Sequence, residues 1–473
     1  MHREHVVYSF GAFELDPVTR QVTAGGEPVY LTAPQFNMLE MLAERAPDVV
    51  DKDALLTAGW GNHAVSDNSV EQGMSWVRRA LLDADDRFYV ETVRRRGYRL
   101  VEPVHRLERQ PLAAGGSDVE SCRAFLHGSR ELATLNVDSI KHARRDFEQT
   151  IERDPTDAAA HAQLAMACAL IYEASRVEPT RDVETLTRAL YHGRQATTID
   201  PALADGWSAR GFAMFLAGEP DAEAICRKGV VLQPDVWRHW LRLSYVSWGD
   251  SRIDAANRAL ALHPDLALAY WLKSTVLIAR GASDSALIPI QLGCAAQDKQ
   301  RFRIGPYPAV GLHLLFGLVH ASLGRLDEAL REFDCEMDVP DHGQLYARER
   351  AANTWYARGA VLLRRGEHVA ADAAFRTVLG IEPRHYCAMA ALGMPIPAMP
   401  ASGRHVMEAA IAHAVLLTRQ GRHCDAAEIF GTGLDGGPGS HAGWILPVEP
   451  ILNVGARPDL WSAALTIVRQ RAS

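Results

Sequence analysis

Alternating apolar and polar positions open the chain. Residues 6–10, 13–16, 21–24 and 28–31 each alternate with a period of two, and Asp16-Pro17 and Gly25-Gly26 punctuate them, which predicts short strands joined by turns. The period then lengthens. Phe36, Leu39, Leu42 and Ala43 line one face of a helix that starts at Thr32. Thr32 and Gln35 have capping-box spacing, and Pro34 sits in the first turn, where a missing N–H is harmless. A short second helix is expected over 52–58 and a third over 68–82, the latter with Asp67 or Asn68 as N-cap. The third helix buries Val70, Met74, Val77 and Leu81, spaced i, i+4, i+7 and i+11, and turns Ser69, Gln72, Ser75, Trp76 and Arg79 outward. Two further strand-like runs, 88–93 and 98–101, are joined by Arg94-Arg95-Arg96-Gly97, a hairpin with a basic tip.

Beyond residue 104 the pattern changes twice. Residues 105–118 are small, polar and Gly/Pro-containing and read as a linker between a first domain, 1–104, and a second, 119–473. From 119 onward helical periodicity dominates, and a frame recurs. Trp355, Gly359, Gly366, Ala371, Phe375 and Pro383 set it out. Gly317, Gly324, Ala329 and Phe333 repeat it, as do Ala414, Gly421, Ala426 and Phe430, and Trp207, Gly211, Gly218 and Pro234 follow with one residue missing. Ala143, Phe147 and Pro155, then Ala189, Ala196 and Pro201, match its second helix, and Pro264 ends another such segment. These spacings resemble the tetratricopeptide repeat, in which small residues let paired helices approach and large ones fill the gap. The expected fold is therefore an N-terminal α+β winged helix-turn-helix followed by an all-α tetratricopeptide-like solenoid. The Gly- and Pro-rich stretch 436–454 breaks the pattern and is expected to cap the last helices.

Composition narrows the function classes. A chain of 473 residues that is 48% hydrophobic is too long for one ordinary core. No run of about eighteen apolar residues occurs, and the first residues lack a signal-peptide layout, so a cytoplasmic protein with no membrane partner is expected. Seven scattered cysteines without CxxC spacing suit reduced, mostly buried thiols. His405, His413, His423 and Cys424 lie near one another in sequence without metal spacing, so no metal or other cofactor is expected. Phosphate-binding, dinucleotide, zincin and hydrolase signatures are all missing, which argues against an enzyme.

Net charge is −8, yet nucleic acid needs only a local basic surface. Residues 78–99 hold seven arginines against four acids. A polar-faced third helix followed by a basic hairpin is suited to double-stranded DNA, the helix entering the major groove and the hairpin acting as a wing. Arg94, Arg95 and Arg96 suit phosphates or a minor groove, although a solvated turn gives the same sequence. Trp76 fits either DNA or a neighbouring helix, and Tyr98 reads as hairpin core.

Here residues 6–104 resemble the OmpR/PhoB-type DNA-binding domain, especially its ToxR/CadC-like branch. The resemblance rests on Phe13-Glu14-Leu15-Asp16, Leu31-Thr32-Ala33-Pro34-Gln35-Phe36, Asp67-Asn68-Ser69-Val70-Glu71-Gln72, Val77-Arg78-Arg79-Ala80-Leu81 and the run from Val90 to Leu100. It implies a third helix that reads the major groove through Asn68, Ser69, Gln72, Ser75, Trp76 and Arg79. It also implies that Thr92 and Arg94 touch the backbone or minor groove and that the loop 60–67, from Trp60 to Asp67, meets RNA polymerase. Most members carry a receiver domain first, and the ToxR/CadC branch a membrane helix after. Neither is expected here, and the layout is similar to cytosolic invasion-gene activators. The repeats are then the expected input, through a protein or small ligand in their groove or through a homodimer. The competing expectation is an interaction scaffold whose winged helix has lost DNA binding.

Overall fold

A computed structural model describes residues 5–17, 21–24, 27–29, 31, 33–60, 69–81, 89–94, 96–109, 116–178, 180–302, 307–339, 343–400, 405–436 and 443–473. The chain divides into two compact units, with the cut between Arg130 and Glu131.

In the first unit, strands β1 (His5–Phe10), β2 (Phe13–Asp16), β3 (Gln21–Ala24) and β4 (Glu27–Val29) form an antiparallel meander. Three helices follow, α1 (Ala33–Arg45), α2 (Lys52–Trp60) and α3 (Ser69–Ala80). A hairpin of β5 (Val90–Val93) and β6 (Gly97–Leu100) comes next. The apolar stripes foreseen on α1 and α3 are buried, and they pack with Phe10, Phe13, Leu15, Tyr89 and Tyr98 in one core. Gly11 makes the β1–β2 turn at φ +56°, and a Cβ there would lie 2.3 Å from the Tyr89 ring, so both backbone and space select glycine.

One expectation fails here. Part of the stretch read as linker is a strand, β7 (His105–Arg109), which completes the sheet order β4-β3-β2-β1-β7. It pairs along β1 from His5↔Arg109 to Ser9↔His105. The sequence His-Arg-Leu-Glu-Arg gave no signal because this edge strand buries no apolar side chain; Leu107, its only large apolar residue, is exposed. It is held by backbone pairing and by Arg106, whose Nη2 donates to the Glu44 carbonyl (2.9 Å) and whose guanidinium lies over the Tyr8 ring. The capping-box residue Thr32 and the linker residues 110–115 lie outside the described residues.

Helix α4 (Gly116–Ala133) starts inside the expected linker. The second unit is a tetratricopeptide-like helical solenoid. It runs through α5 (Val137–Arg153), α6 (Ala158–Ala174), α7 (Val183–Ile199), α8 (Ala204–Ala217), α9 (Ala222–Leu232), α10 (Trp237–Val246) and α11 (Gly249–Leu262). It continues with α12 (Ala267–Ala279), α13 (Ser283–Phe302), α14 (Leu312–Ser322), α15 (Leu326–Met337), α16 (Ala347–Arg364) and α17 (His368–Ile381). Last come α18 (Tyr386–Ala391), α19 (Val406–Arg419), α20 (His423–Gly436) and α21 (Pro458–Ala472). The repeat frame is physical. A Cβ on Gly317 or Gly359 would sit 2.3 or 2.7 Å from the Phe333 or Phe375 ring, and Gly324, Gly366 and Gly421 turn between paired helices at positive φ.

The solenoid also binds its own interior. Tyr245 Oη on α10 donates to Glu173 Oε2 on α6 (3.1 Å) and meets Tyr346 Oη (3.2 Å). Arg176 bridges Glu173 and Glu349 of α16, and Arg348 reaches Glu178. Beside them Arg242, Tyr245 and Tyr346 line a cavity of only about 10 Å³. Residues 443–456 pack on the last helices as expected, Gly443 beside Phe430 and Leu434 of α20, and they also reach back along the solenoid. They lie against α12, α14 and α16, with Trp444 on Trp271 and the buried Glu449 carboxylate accepting from Tyr356 Oη at 2.6 Å. Helix α21 then returns to α12, burying Trp461 and Val468 with Val276 and Ala279, while Arg280 Nε donates to the Ala472 carbonyl (2.8 Å). No described helix is long and apolar enough to cross a membrane.

Candidate nucleic-acid interface

Helix α3 separates its faces cleanly. Val70, Met74 and Val77 go into the core, and Gln72, Ser75 and Arg79 are exposed on the other side. Ser69, the first helical residue, is half-buried, while Asn68 and the loop residues 61–67 lie outside the described residues; Trp60 ends α2. Trp76 is half-buried and does not belong to the domain core; the Arg79 guanidinium lies 5.5 Å from its ring centroid. That contact holds a planar cation beside an aromatic surface on the outward face.

The wing is positioned by two devices. Val50 and Tyr98 exchange backbone hydrogen bonds (Val50 N to Tyr98 O 2.8 Å, Tyr98 N to Val50 O 2.9 Å), which fixes the hairpin to the segment after α1. Arg78 supplies the second. Its Nε donates to the Val90 carbonyl (2.8 Å), its Nη2 to Thr92 Oγ1, and its guanidinium lies 5.5 Å from the Tyr98 ring centroid. Sequence reasoning missed this residue. A usable signal existed, because Arg78 is four residues after Met74 and so stands on the edge of the buried stripe. Thr92, assigned by resemblance to DNA, is exposed but already accepts from Arg78. Tyr98 is buried, as expected.

Electrostatics favour an anion. The acid on α3, Glu71, is paired with Lys52 (2.5 Å), and the acid on the wing, Glu91, with Arg99 across the hairpin (2.8 Å). Such exposed pairs add little stability, but they neutralise the acids next to the reading face. Arg94 and Arg96 at the hairpin tip are exposed and have no acidic partner among the described residues; Arg95 lies outside them. The site thus brings an exposed polar helix face and two cations without an acidic partner among the described residues into one small domain.

Comparison with known proteins places this domain. Residues 26–100 match the family described as "Transcriptional regulatory protein, C terminal". The response regulator MprA of Mycolicibacterium vanbaalenii is 35% identical over 100 residues, 21% of this chain and 43% of MprA, so the chain matches less than half of that relative's length. The solved DNA-binding domain of Escherichia coli CadC is 28% identical, with a TM-score of 0.20 over 22% of this chain and 98% of that one. A tetratricopeptide repeat protein from Parabacteroides merdae is 12% identical, with a TM-score of 0.37 over 52% of this chain and 87% of that one. Residues 26–100 carry an OmpR/PhoB-type transcriptional-regulator domain, and the helical repeats from α5 onward follow it.

Proposed function

We propose that this protein is a sequence-specific DNA-binding transcription regulator. The observation that carries the reading is the joint exposure of Gln72, Ser75 and Arg79 on α3 and of Arg94 and Arg96 on the wing, with the nearby acids Glu71 and Glu91 already paired. Helix α3 reads base edges in the major groove, with Asn68 and Ser69 at its start, and Trp76 supports Arg79 beside the bases. Arg94, Arg95 and Arg96 contact phosphate or the minor groove. Thr92 serves the wing through Arg78 as well as through the nucleic acid. The loop 60–67 is the surface for RNA polymerase, and the protein works in the cytoplasm.

The repeats regulate. Their interior is bridged by Tyr245, Arg176 and Arg348, which argues for control through outer surfaces, self-association or a small ligand rather than a peptide laid along an open groove. The test is selection of bound sites from random duplex DNA with the full chain. A single enriched motif that is lost in Gln72→Ala/Arg79→Ala supports the reading. A folded protein that enriches no motif overturns it and leaves an interaction scaffold.

A further inference from the structure

Three consecutive helices of the solenoid bring together groups that the repeat frame does not need. Cys294 is on α13, His313 is in the first turn of α14 and Glu332 is on α15. Their ligand atoms all lie within 4.8 Å of one another. Cys294 and His313 are buried; Glu332 is partly exposed. His313 Nδ1 is hydrogen-bonded to Glu332 Oε2 at 2.6 Å. His313 Nε2 is buried and makes no hydrogen bond; it approaches Asp298 Oδ1 at 3.4 Å without the alignment one requires. An imidazole, a thiol and a carboxylate at this spacing, with one ring nitrogen left unsatisfied, are more than packing calls for, since a buried polar atom without a partner is costly.

We propose that Cys294, His313 and Glu332 form a binding site for one thiophilic divalent cation of the zinc class. Thiolate, imidazole and carboxylate together are ligands of such ions rather than of magnesium or calcium. Tetrahedral bonds of about 2.0–2.3 Å place ligand atoms about 3.5 Å apart, so spacings of up to 4.8 Å close by about an ångström and the 2.6 Å hydrogen bond between His313 and Glu332 opens by a similar amount when both bind one ion. Burial, and after it the charges of Glu332, Glu336 and Asp298, push the Cys294 thiol up; a cation entering the site displaces that proton to solvent. Asp298, half-exposed beside the imidazole, offers an approach from water. A bound ion would tie α13, α14 and α15 together. The site is independent of the DNA-binding reading and survives its failure.

The experiment is a Co²⁺ titration of the reduced, chelator-treated full chain, followed by Zn²⁺ competition. One equivalent of Co²⁺ is expected to produce a thiolate-to-cobalt charge-transfer band that Zn²⁺ abolishes. Cys294→Ser removes the band and Cys424→Ser, at an exposed thiol on α20, keeps it. Glu332→Gln, at a partly exposed position that tolerates the change, retains the fold by circular dichroism and weakens binding by about tenfold or more, as loss of even an outer-shell partner does. No band in the unaltered protein, a band that survives Cys294→Ser, or unchanged affinity in folded Glu332→Gln each overturns the site.

Discussion

The exposed face of the first unit and the interior of the second use arginine in opposite ways. On the first, Arg79, Arg94 and Arg96 are exposed, and Glu71 and Glu91 are paired with other cations. In the interior of the second, buried arginines are structural. Arg252 is buried and donates to the carbonyls of Ser244, Tyr245 and Ser247 and to Thr275 Oγ1, with its guanidinium 4.6 Å from the Trp248 ring centroid. Arg350 donates to the Glu336 carbonyl (2.6 Å) and lies 3.7 Å from its carboxylate. A guanidinium has five donors in a rigid fork, so it can cross-link backbone turns as well as it can read phosphate. Local arginine density therefore says little about nucleic acid until the donors are accounted for.

The contrast is sharpest at Glu336. This fully buried carboxylate accepts from the backbone N–H groups of Gly311 and His313 (2.9 and 3.0 Å) and from Gln297 Nε2 (3.1 Å), closing the start of α14. Glu336→Ala strands those donors and Arg350. The expected cost is about 3–5 kcal/mol, the range for breaking a buried pair, measured by denaturant unfolding. A loss below about 1 kcal/mol would mean that the carboxylate is not what organises this turn.

Among the residues of the candidate interface, the largest stability effect is expected at Arg78. Arg78→Ala removes charge-assisted hydrogen bonds to Val90 and Thr92 and should cost about 1.5–3 kcal/mol. Unfolding of the domain would report it, and DNA affinity should fall because the wing is no longer set against α3. Arg79→Ala is expected to leave stability nearly unchanged and to cost about 1–3 kcal/mol of base discrimination, read as a relaxed position in the selected motif. Arg94→Ala and Arg96→Ala should weaken binding evenly across sequences and lower the log–log salt slope by about 0.9 for each phosphate no longer neutralised. If wing variants changed the motif while α3 variants did not, the two elements would exchange roles.

A different kind of effect concerns pH. His161 and His192 face each other through their Nδ1 atoms at 2.9 Å. Burial, then the charges of His161 and Arg188, bring His192 down from 6.5 to about 4. Between these values the unfolded chain binds the proton and the folded chain does not, so stability falls as pH drops from 6.5 toward 4. His192→Gln should flatten the unfolding midpoint over that window; an unchanged slope would show that His192 does not take up its proton on unfolding.

The N-terminal elements were legible because each is short and has its own period. The stripes of α1 and α3, the basic hairpin and the repeat glycines facing phenylalanines all express local geometry, which sequence spacing encodes directly. The thiols were less so: Cys168, Cys226 and Cys294 are buried, but Cys335 and Cys424 are exposed, and hydropathy alone does not separate them. Only the tertiary structure decided the rest. Strand β7 pairs through backbone groups that every residue carries, so its polar sequence looked like a linker. Arg78, Tyr245, Arg176 and Glu336 find partners that sequence spacing does not choose, up to 173 residues away for Arg176 and Glu349. The Cys294, His313 and Glu332 cluster exists because three helices stack, and stacking brings together side chains that have no shared period along the chain.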